Sequence, residues 1–283
     1  MISSKKYVDE TLKKYNLCAN KALGQNFLVE SEIASYIVDS ANIKNETLVI
    51  EIGPGMGALT EFALQKAKKV VAFEIDNNMV TILKDNFKNL SNFEVNNIDF
   101  LKVNIEDIIK QYNKEGYKDI VLLSNLPYYI TSKLLNKILM NDLPIRNIVT
   151  MMQKEVGQKI VKPDKKDINE LFVILSYQYD VSIVKYVGKN SYLPRPAIDS
   201  IVLKFEKCPP KYDVKLNDLL KVLESLFFAR RKTIYNNLKN LFENIENVDN
   251  CLKKCNLSIN LRVEQMTIQQ IIDVCKYYSS TKD

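Results

Sequence analysis

Histidine is absent from this 283-residue chain. That excludes Ser-His-Asp and Cys-His hydrolase chemistry and any mechanism in which imidazole moves a proton. Catalysis would have to run on carboxylates, amides, aromatics, lysines or a cofactor. No apolar run approaches the roughly 18 residues that suggest a membrane span. The first twenty residues alternate charges (Lys5, Lys6, Asp9, Glu10, Lys13, Lys14) with single apolar residues and hold no secretion-signal core. The expectation is a cytoplasmic protein without membrane association. The cysteines are few and scattered, at Cys18, Cys208, Cys251, Cys255 and Cys275. An odd number without tight pairing fits free thiols in a reducing compartment. Cys251 and Cys255 stand one helical turn apart, but no C-x-x-C pair or histidine completes a ligand set. Helix packing is their expected role, and no metal is expected. There is no internal repeat and no low-complexity tract. The net charge of +6 permits an anionic partner without requiring one.

Apolar periodicity gives alternating strands and helices from about residue 30 to 205. Expected strands are 48–52, 70–75, 93–95, 120–124 and 148–152. Helix patterns lie over Leu59, Phe62, Ala63 and Leu64, over Val80, Ile82, Leu83 and Phe87, over Leu134, Leu135, Ile138 and Leu139, and across 171–179. Strands 181–187 and 198–205 leave little room for a crossover helix and suggest an antiparallel hairpin at the sheet edge. Such alternation predicts an α/β fold, a mainly parallel sheet with helices on both faces. Pro209-Pro210 breaks the pattern, and only helical spacing follows (Leu219, Leu220, Leu223, Leu226, Phe227; Ile234, Leu238, Leu241, Phe242). The expected organisation is a basic segment at 1–20 ahead of the fold, an α/β domain at 21–206 and a small all-helical domain at 209–283.

Only seven glycines are present, and three sit in Gly53-Pro54-Gly55-Met56-Gly57 directly after a strand. Glycine allows a sharp turn and close approach of a ligand, and a following helix start offers unpaired N–H groups. Glu74 ends the next strand, 21 residues after Gly53, where an acid accepts ribose hydroxyls. Gly53, Gly55 and Ala58 also satisfy the dinucleotide pattern G-x-G-x-x-A, so a nicotinamide dehydrogenase is an alternative. Pro54 argues against it, because it removes an N–H where a pyrophosphate needs donors. Asp99, after the third strand, is placed to accept from an adenine amine; it could equally cap the segment that follows.

The fourth strand runs into Asn125-Leu126-Pro127-Tyr128. Adenine N6 is a poor nucleophile because its lone pair is delocalised into the ring. Two acceptors holding its hydrogens favour the tetrahedral geometry needed for attack on a methyl group. The side-chain oxygen of Asn125 can be one, and the carbonyl of Leu126 the other, since Pro127 holds its predecessor extended. Tyr128 offers a face to a base lifted from its stack. With a sulfonium leaving group, no strong base is required.

At this point the chain resembles the small-subunit ribosomal RNA adenine dimethyltransferases of the KsgA type, relatives of the Erm-type large-subunit methylases. The resemblance runs over K-A-L-G-Q-N-F-L at 21–28, E-I-G-P-G-M-G at 51–57, F-E-I-D at 73–76 and I-D-F-L at 98–101. It continues in N-L-P-Y-Y-I at 125–130, M-Q-K-E-V at 152–156, L-P-R-P-A-I-D-S at 193–200 and A-R-R-K-T-I-Y-N-N-L at 229–238. It implies a Rossmann-like class I methyltransferase fold with a mostly parallel seven-stranded sheet. It implies S-adenosylmethionine held by Asn26, Leu28, Gly53, Gly55, Glu74, Asp99 and Asn125. It places Asn125, Leu126, Pro127, Tyr128 and Tyr192 at the reacting adenine, with Tyr128 stacked on one face and Tyr192 closing the other. Tyr192 stands where the family often has phenylalanine, and Asn97-Ile98 where relatives commonly have a small residue before the aspartate.

Arginine is scarce, with five in the chain, yet Arg230 and Arg231 are adjacent and followed by Lys232. Such clustering suggests phosphate contacts from the helical domain, with a solvated helix face as the alternative. The expected partner is ribosomal RNA in an immature small subunit, bound by a monomer. An Erm-like large-subunit enzyme and an RNA-binding assembly factor with little turnover are the competing readings.

Overall fold

The structure, a computed structural model, describes residues 1–125, 131–163, 168–242 and 244–282. The chain forms two compact units, residues 1–161 with 180–207 and residues 162–179 with 208–283. The first unit begins with α1 (Lys5–Lys14), β1 (Phe27–Leu28) and α2 (Ser31–Ser40). Then follow β2 (Leu48–Ile52), α3 (Thr60–Ala63), β3 (Lys69–Glu74), α4 (Asn77–Phe87), β4 (Phe93–Asn97), α5 (Ile105–Lys114), β5 (Ile120–Asn125), α6 (Thr131–Leu139), β6 (Asn147–Gln153) and α7 (Lys154–Val161). After α8 (Glu170–Gln178) come β7 (Tyr179–Val187), β8 (Tyr192–Leu193) and β9 (Ser200–Lys207).

The sheet has seven strands in the order β4-β3-β2-β5-β6-β9-β7. β2 pairs in parallel with β3 and β5, β3 with β4, and β5 with β6, while β9 runs antiparallel to β6. The mostly parallel sheet with an antiparallel edge expected from the sequence is the one found. All five residues of β2 are buried, as a central strand between two parallel neighbours requires; four are apolar and the fifth is Glu51. Val49, Val121, Leu123, Val149 and Met151 pack with Ile33, Ile37 and Val38 of α2 and with Ala63 of α3. Their strand neighbours Ile50, Leu122 and Ile148 point to the opposite face by alternation and are also buried. The chain runs outward from β2 to β3 and β4, then crosses to begin again at β5. That reversal opens a crevice at the carboxyl ends of β2 and β5, where open α/β sheets bind ligands.

The amino-terminal segment, expected to precede the fold, belongs to it. Val8 of α1 is 1% exposed and packs with Phe27, Met56, Met79 and Ile82. Tyr7 Oη donates to Asn86 Oδ1 (2.5 Å), and Ile2 N–H to Glu61 Oε2 (2.8 Å). Lys5, Lys6, Lys13 and Lys14 keep to the exposed face. The helix is amphipathic, and its apolar stripe supplies the reason to dock.

The second unit is helical, with α9 (Leu216–Phe227), α10 (Ile234–Leu238), α11 (Ile245–Lys254) and α12 (Ile268–Ser280). α8 is grouped with them. Its Val173, Ile174, Leu175 and Tyr177 are buried. Residues 208–214 clamp its end: Cys208 N–H donates to Gln178 O (2.9 Å), Lys211 N–H to Tyr177 O (2.8 Å), and Tyr177 Oη to Val214 O (2.7 Å).

Candidate active site

β2 runs directly into the glycine loop. Gly57 has φ +99°, and a Cβ there would lie 2.8 Å from the Phe87 ring. Only glycine fits where the loop passes under α4. The glycine N–H groups are all engaged within the protein. Gly53 N–H donates to Phe73 O (3.0 Å), Gly57 N–H to Pro54 O (2.9 Å), and Gly55 N–H to Glu74 Oε2 (3.1 Å). Pro54 has none to give. A diphosphate cradle needs free N–H groups, so these positions do not suit a dinucleotide.

Glu74 closes β3 and is buried. Its Oε1 accepts from Asp76 N–H (2.9 Å) and its Oε2 from Gly55 N–H. Burial raises its pKa above the ordinary carboxylate value, against the pull of these N–H donors. The carboxylate is thereby fixed in orientation, with lone pairs left on each oxygen. Asp99 spends Oδ1 on Leu101 N–H (2.9 Å), capping the short turn that follows. Its other oxygen remains for a ligand. Asn97 donates from Nδ2 to Glu74 O (2.9 Å) and Ile75 O (3.3 Å), tying the ends of β4 and β3 together. Ile75 and Ile98, 50% and 41% exposed, offer apolar surface at these same strand ends.

Asn125 ends β5, and its carbonyl oxygen lies 4.0 Å from where a Cβ on Gly53 would stand. The register explains the meeting, since Ile52 pairs with Ser124 and Ser124 Oγ donates to Ile52 O (3.1 Å). On its other side Asn125 pairs with Met151 of β6. Tyr192 is buried, and its hydroxyl donates to Met151 Sδ (2.8 Å). Tyr192 also pairs with Leu28 in a two-stranded sheet of β1 and β8. Leu126, Pro127 and Tyr128 lie outside the described residues.

One cavity of about 200 Å³ is lined by Asn26, Leu28, Gly53, Gly55, Glu74, Asp99, Asn125 and Tyr192. Every described residue expected at the cofactor and the base therefore borders the same space. Ile98, the departure noted before Asp99, borders it too, as do Gln25, Ile75, Phe100 and Leu101, which the sequence reading does not single out. Gln25 Nε2 donates to Asp76 Oδ2 (2.6 Å), and its Oε1 accepts from Asn20 N–H (2.8 Å). Apolar residues beside each strand-end acid, Ile75 after Glu74 and Ile98 before Asp99, were the available signal. The lining fits an adenosyl ligand: a fixed carboxylate for a ribose, a second acid for an amine, and aliphatic side chains for a ring.

Glu51 of β2 is a further acid behind the loop, 1% exposed. Burial raises its pKa to about 7; the Thr60 hydroxyl donating to its Oε2 (2.7 Å) opposes the shift, and nearby Glu74 adds to it. The pair holds the start of α3 against the end of β2.

In the second unit, Arg230, Arg231 and Lys232 are exposed on the turn between α9 and α10. Asn237 is buried and braces that turn, donating from Nδ2 to Leu226 O (2.7 Å) and Ala229 O (3.2 Å). Among the described residues, no group of three or more His, Cys, Asp or Glu side chains could hold a metal ion. No described helix is long and apolar enough to cross a membrane.

A family model for ribosomal RNA adenine dimethylases matches residues 16–280. The ribosomal RNA small subunit methyltransferase A of Clostridioides difficile (strain 630) is 38% identical over 273 residues, which cover 95% of this chain and 94% of the relative. A dimethyladenosine transferase from Plasmodium falciparum shares the fold with a TM-score of 0.67 at 23% identity, over 89% of this chain and 97% of its own. The 23S rRNA methyltransferase ErmE does so at 0.64 and 21%, over 90% and 100%. Identities this low speak to the fold alone. The family match and the 38% relative, each spanning nearly the whole sequence, decide the matter: the chain belongs to the ribosomal RNA adenine dimethylase family.

Proposed function

We propose that this protein dimethylates the N6 amines of two adjacent adenosines in the 3′-terminal hairpin of small-subunit ribosomal RNA, using S-adenosylmethionine, and takes part in small-subunit assembly. The observation that carries this reading is the placement of Asn125 in one cavity with Glu74, Asp99 and the glycine loop. When bound, S-adenosylmethionine supplies a methyl group on a sulfonium. Glu74 would take its ribose hydroxyls and Asp99 its adenine amine, with Asn26, Leu28, Gly53, Gly55 and Asn125 along the rest of the lining.

The side-chain oxygen of Asn125 accepts a hydrogen from the target amine, and the Leu126 carbonyl, fixed by Pro127, accepts the other. Holding both hydrogens favours the tetrahedral nitrogen, and the amine's position does most of the catalytic work. Tyr128 stacks on one face of the adenine and Tyr192 closes the other. The Tyr192 hydroxyl bond to Met151 Sδ sets the angle of that ring. The displaced proton passes to water. The segment 21–206 carries the chemistry, and the helical residues 209–283 bind RNA, with Arg231 and Lys232 of the basic cluster toward the phosphates and Arg230 beside them stacked on Phe227. The protein works as a cytoplasmic monomer and without a metal.

A second reading takes the large subunit as substrate, because ErmE shares the fold. The sequence favours the small subunit: N-L-P-Y rather than the isoleucine usual in the Erm-type group, and A-R-R-K-T-I-Y-N-N-L at 229–238. The small-subunit name of the 38% identical relative supports the same choice. Incubation with immature small subunits and with large subunits, followed by mass mapping of methyl groups, tests it. Methylation confined to large-subunit RNA would overturn the proposal.

A further inference from the structure

The turn between α9 and α10 carries more than charge. Phe228 is 75% exposed, whereas its neighbour Phe227 is buried. Phe227 serves the helical core, and nothing in the core requires an aromatic at 228. The turn is nonetheless held firmly. Phe228 N–H donates to Ser225 O (3.3 Å), Lys232 N–H to Ala229 O (2.8 Å), and Ser225 Oγ to Asn237 O (2.8 Å). Together with Asn237 these bonds hold the segment that presents the ring.

The three cations on the turn differ. The Arg230 guanidinium lies over the Phe227 ring, 5.4 Å from its centroid, and within electrostatic reach of Glu170. It is occupied by the protein. The side chains of Arg231 and Lys232 have no hydrogen bond, ion pair or ring contact among the described residues. An exposed aromatic beside two unengaged cations matches what unpaired nucleic acid offers, a base with an open face between two phosphates. A protein partner would need more apolar surface around the ring than this charged turn provides.

Resting on the ribosomal RNA reading above, we propose that Phe228 is a stacking platform for an unpaired base of the RNA. Arg231 and Lys232 hold the phosphates that flank that base, and Arg230 is an internal brace.

The test uses the full-length protein, an RNA hairpin with a single-stranded loop, and the same sequence closed into a blunt duplex. Binding is measured across a salt series, with a melting curve for every variant. Phe228→Ala should weaken loop binding about tenfold or more, leave the salt slope unchanged and leave duplex binding unchanged. Phe228→Trp should restore loop binding. Arg231→Ala with Lys232→Ala should flatten the slope on the loop by about 1.4, as two lost phosphate contacts require. Arg230→Ala should lower the melting temperature without changing the slope. Wild-type loop binding by Phe228→Ala, or equal loss on loop and duplex, would overturn the platform. So would a Phe228→Ala defect seen only with protein-bearing subunits and not with naked RNA, which would make the ring a protein contact. Methylation at saturating RNA separates this outcome from the function itself. If Phe228→Ala binds normally while wild type still dimethylates small-subunit RNA, only the platform fails.

Discussion

Replacing Glu74 by glutamine is the sharpest single perturbation of the cavity. The carboxylate holds two protein donors, Gly55 N–H at 3.1 Å and Asp76 N–H at 2.9 Å, one on each oxygen. Glutamine keeps one acceptor oxygen and sets an NH₂ against the other N–H. It also loses the second acceptor available to a ribose. A hydrogen bond to a charged group contributes about 1.5–3 kcal/mol, so affinity for S-adenosylmethionine should fall roughly tenfold to a hundredfold. The ligand-free protein should lose far less. Burial already disfavours the charge on Glu74, and an uncharged side chain relieves that cost. Calorimetry and thermal melting on the same sample separate the two effects. The pH dependence gives a second check. Only the ionised carboxylate accepts two hydroxyls, and its folded pKa is raised, so affinity should fall as pH drops through the raised value. Stability runs the other way: an acid with a raised folded pKa favours folding when protonated and loses that contribution as pH rises through the folded value. The glutamine variant should lack this limb of the affinity profile. Unchanged affinity in a folded Glu74→Gln protein, or an identical pH profile, would refute the ribose assignment.

The other expectations concern the loop, the acid behind it and the reacting amine. Gly57→Ala should lower stability by about 1–3 kcal/mol, because φ +99° and the Phe87 ring at 2.8 Å both oppose a Cβ. Gly188→Ala, at φ −68° with open space around it, should be nearly neutral in the same melting assay. Glu51→Gln should stabilise the protein at pH 8 and flatten the fall in stability between about pH 4.5 and 7, since the wild-type acid takes up its proton on folding in that window. The full effect is on the order of 3 kcal/mol, and an unchanged pH–stability curve would remove Glu51 as its source. Asn125→Ala should strongly lower turnover and weaken the cofactor somewhat. Tyr128→Phe should keep most dimethylation and Tyr128→Ala should not, as counted from mono- and dimethyl products on unmodified subunits.

Legibility in the sequence followed the range of the forces involved. β2 is legible to the residue, because a short strand of four apolar residues and Glu51, ending at a glycine, carries its own boundaries. Glu74 and Asp99 were found because strand ends place acids in a known order around a glycine loop. α1 was read as a basic tail because its lysines dominate the composition. Its apolar positions Val8, Leu12 and Tyr15 do recur at helical spacing, with Ser4 as N-cap. α5 is absent from the sequence reading, although Asn104 caps it and Ile105, Ile109 and Tyr112 form a buried stripe. The periodicity of α8 was visible, but its place with the second unit was not. That place depends on bonds from residues 208–214, which no local pattern encodes. The Tyr192–Met151 contact was likewise out of reach, because it spans 41 residues.

What joins these pieces is strand register. Glu74, Asp99, Asn125 and the glycine loop come from four separate strand ends, and no motif contains all of them. Pairing Ile52 with Phe73 and with Ser124 brings Gly53 level with Glu74 on one side and Asn125 on the other. Pairing Glu74 with Asn97 sets Asp99 just beyond. A slip of one residue in any pair would turn every side chain of that strand to the opposite face and bury the acid or the amide in the core. The buried Ser124 hydroxyl on Ile52 O and the Asn97 amide on Glu74 O each cross such a pair next to the cavity. These two polar side chains at strand ends do what the apolar core cannot. A hydrophobic face tolerates a slip of two residues, because a shift of two restores the alternation, whereas a hydrogen bond to one particular carbonyl does not. The accuracy of the site therefore rests on polar contacts outside the set proposed to react, and these bring Asn125 beside Glu74, Asp99 and the glycine loop in a chain without histidine.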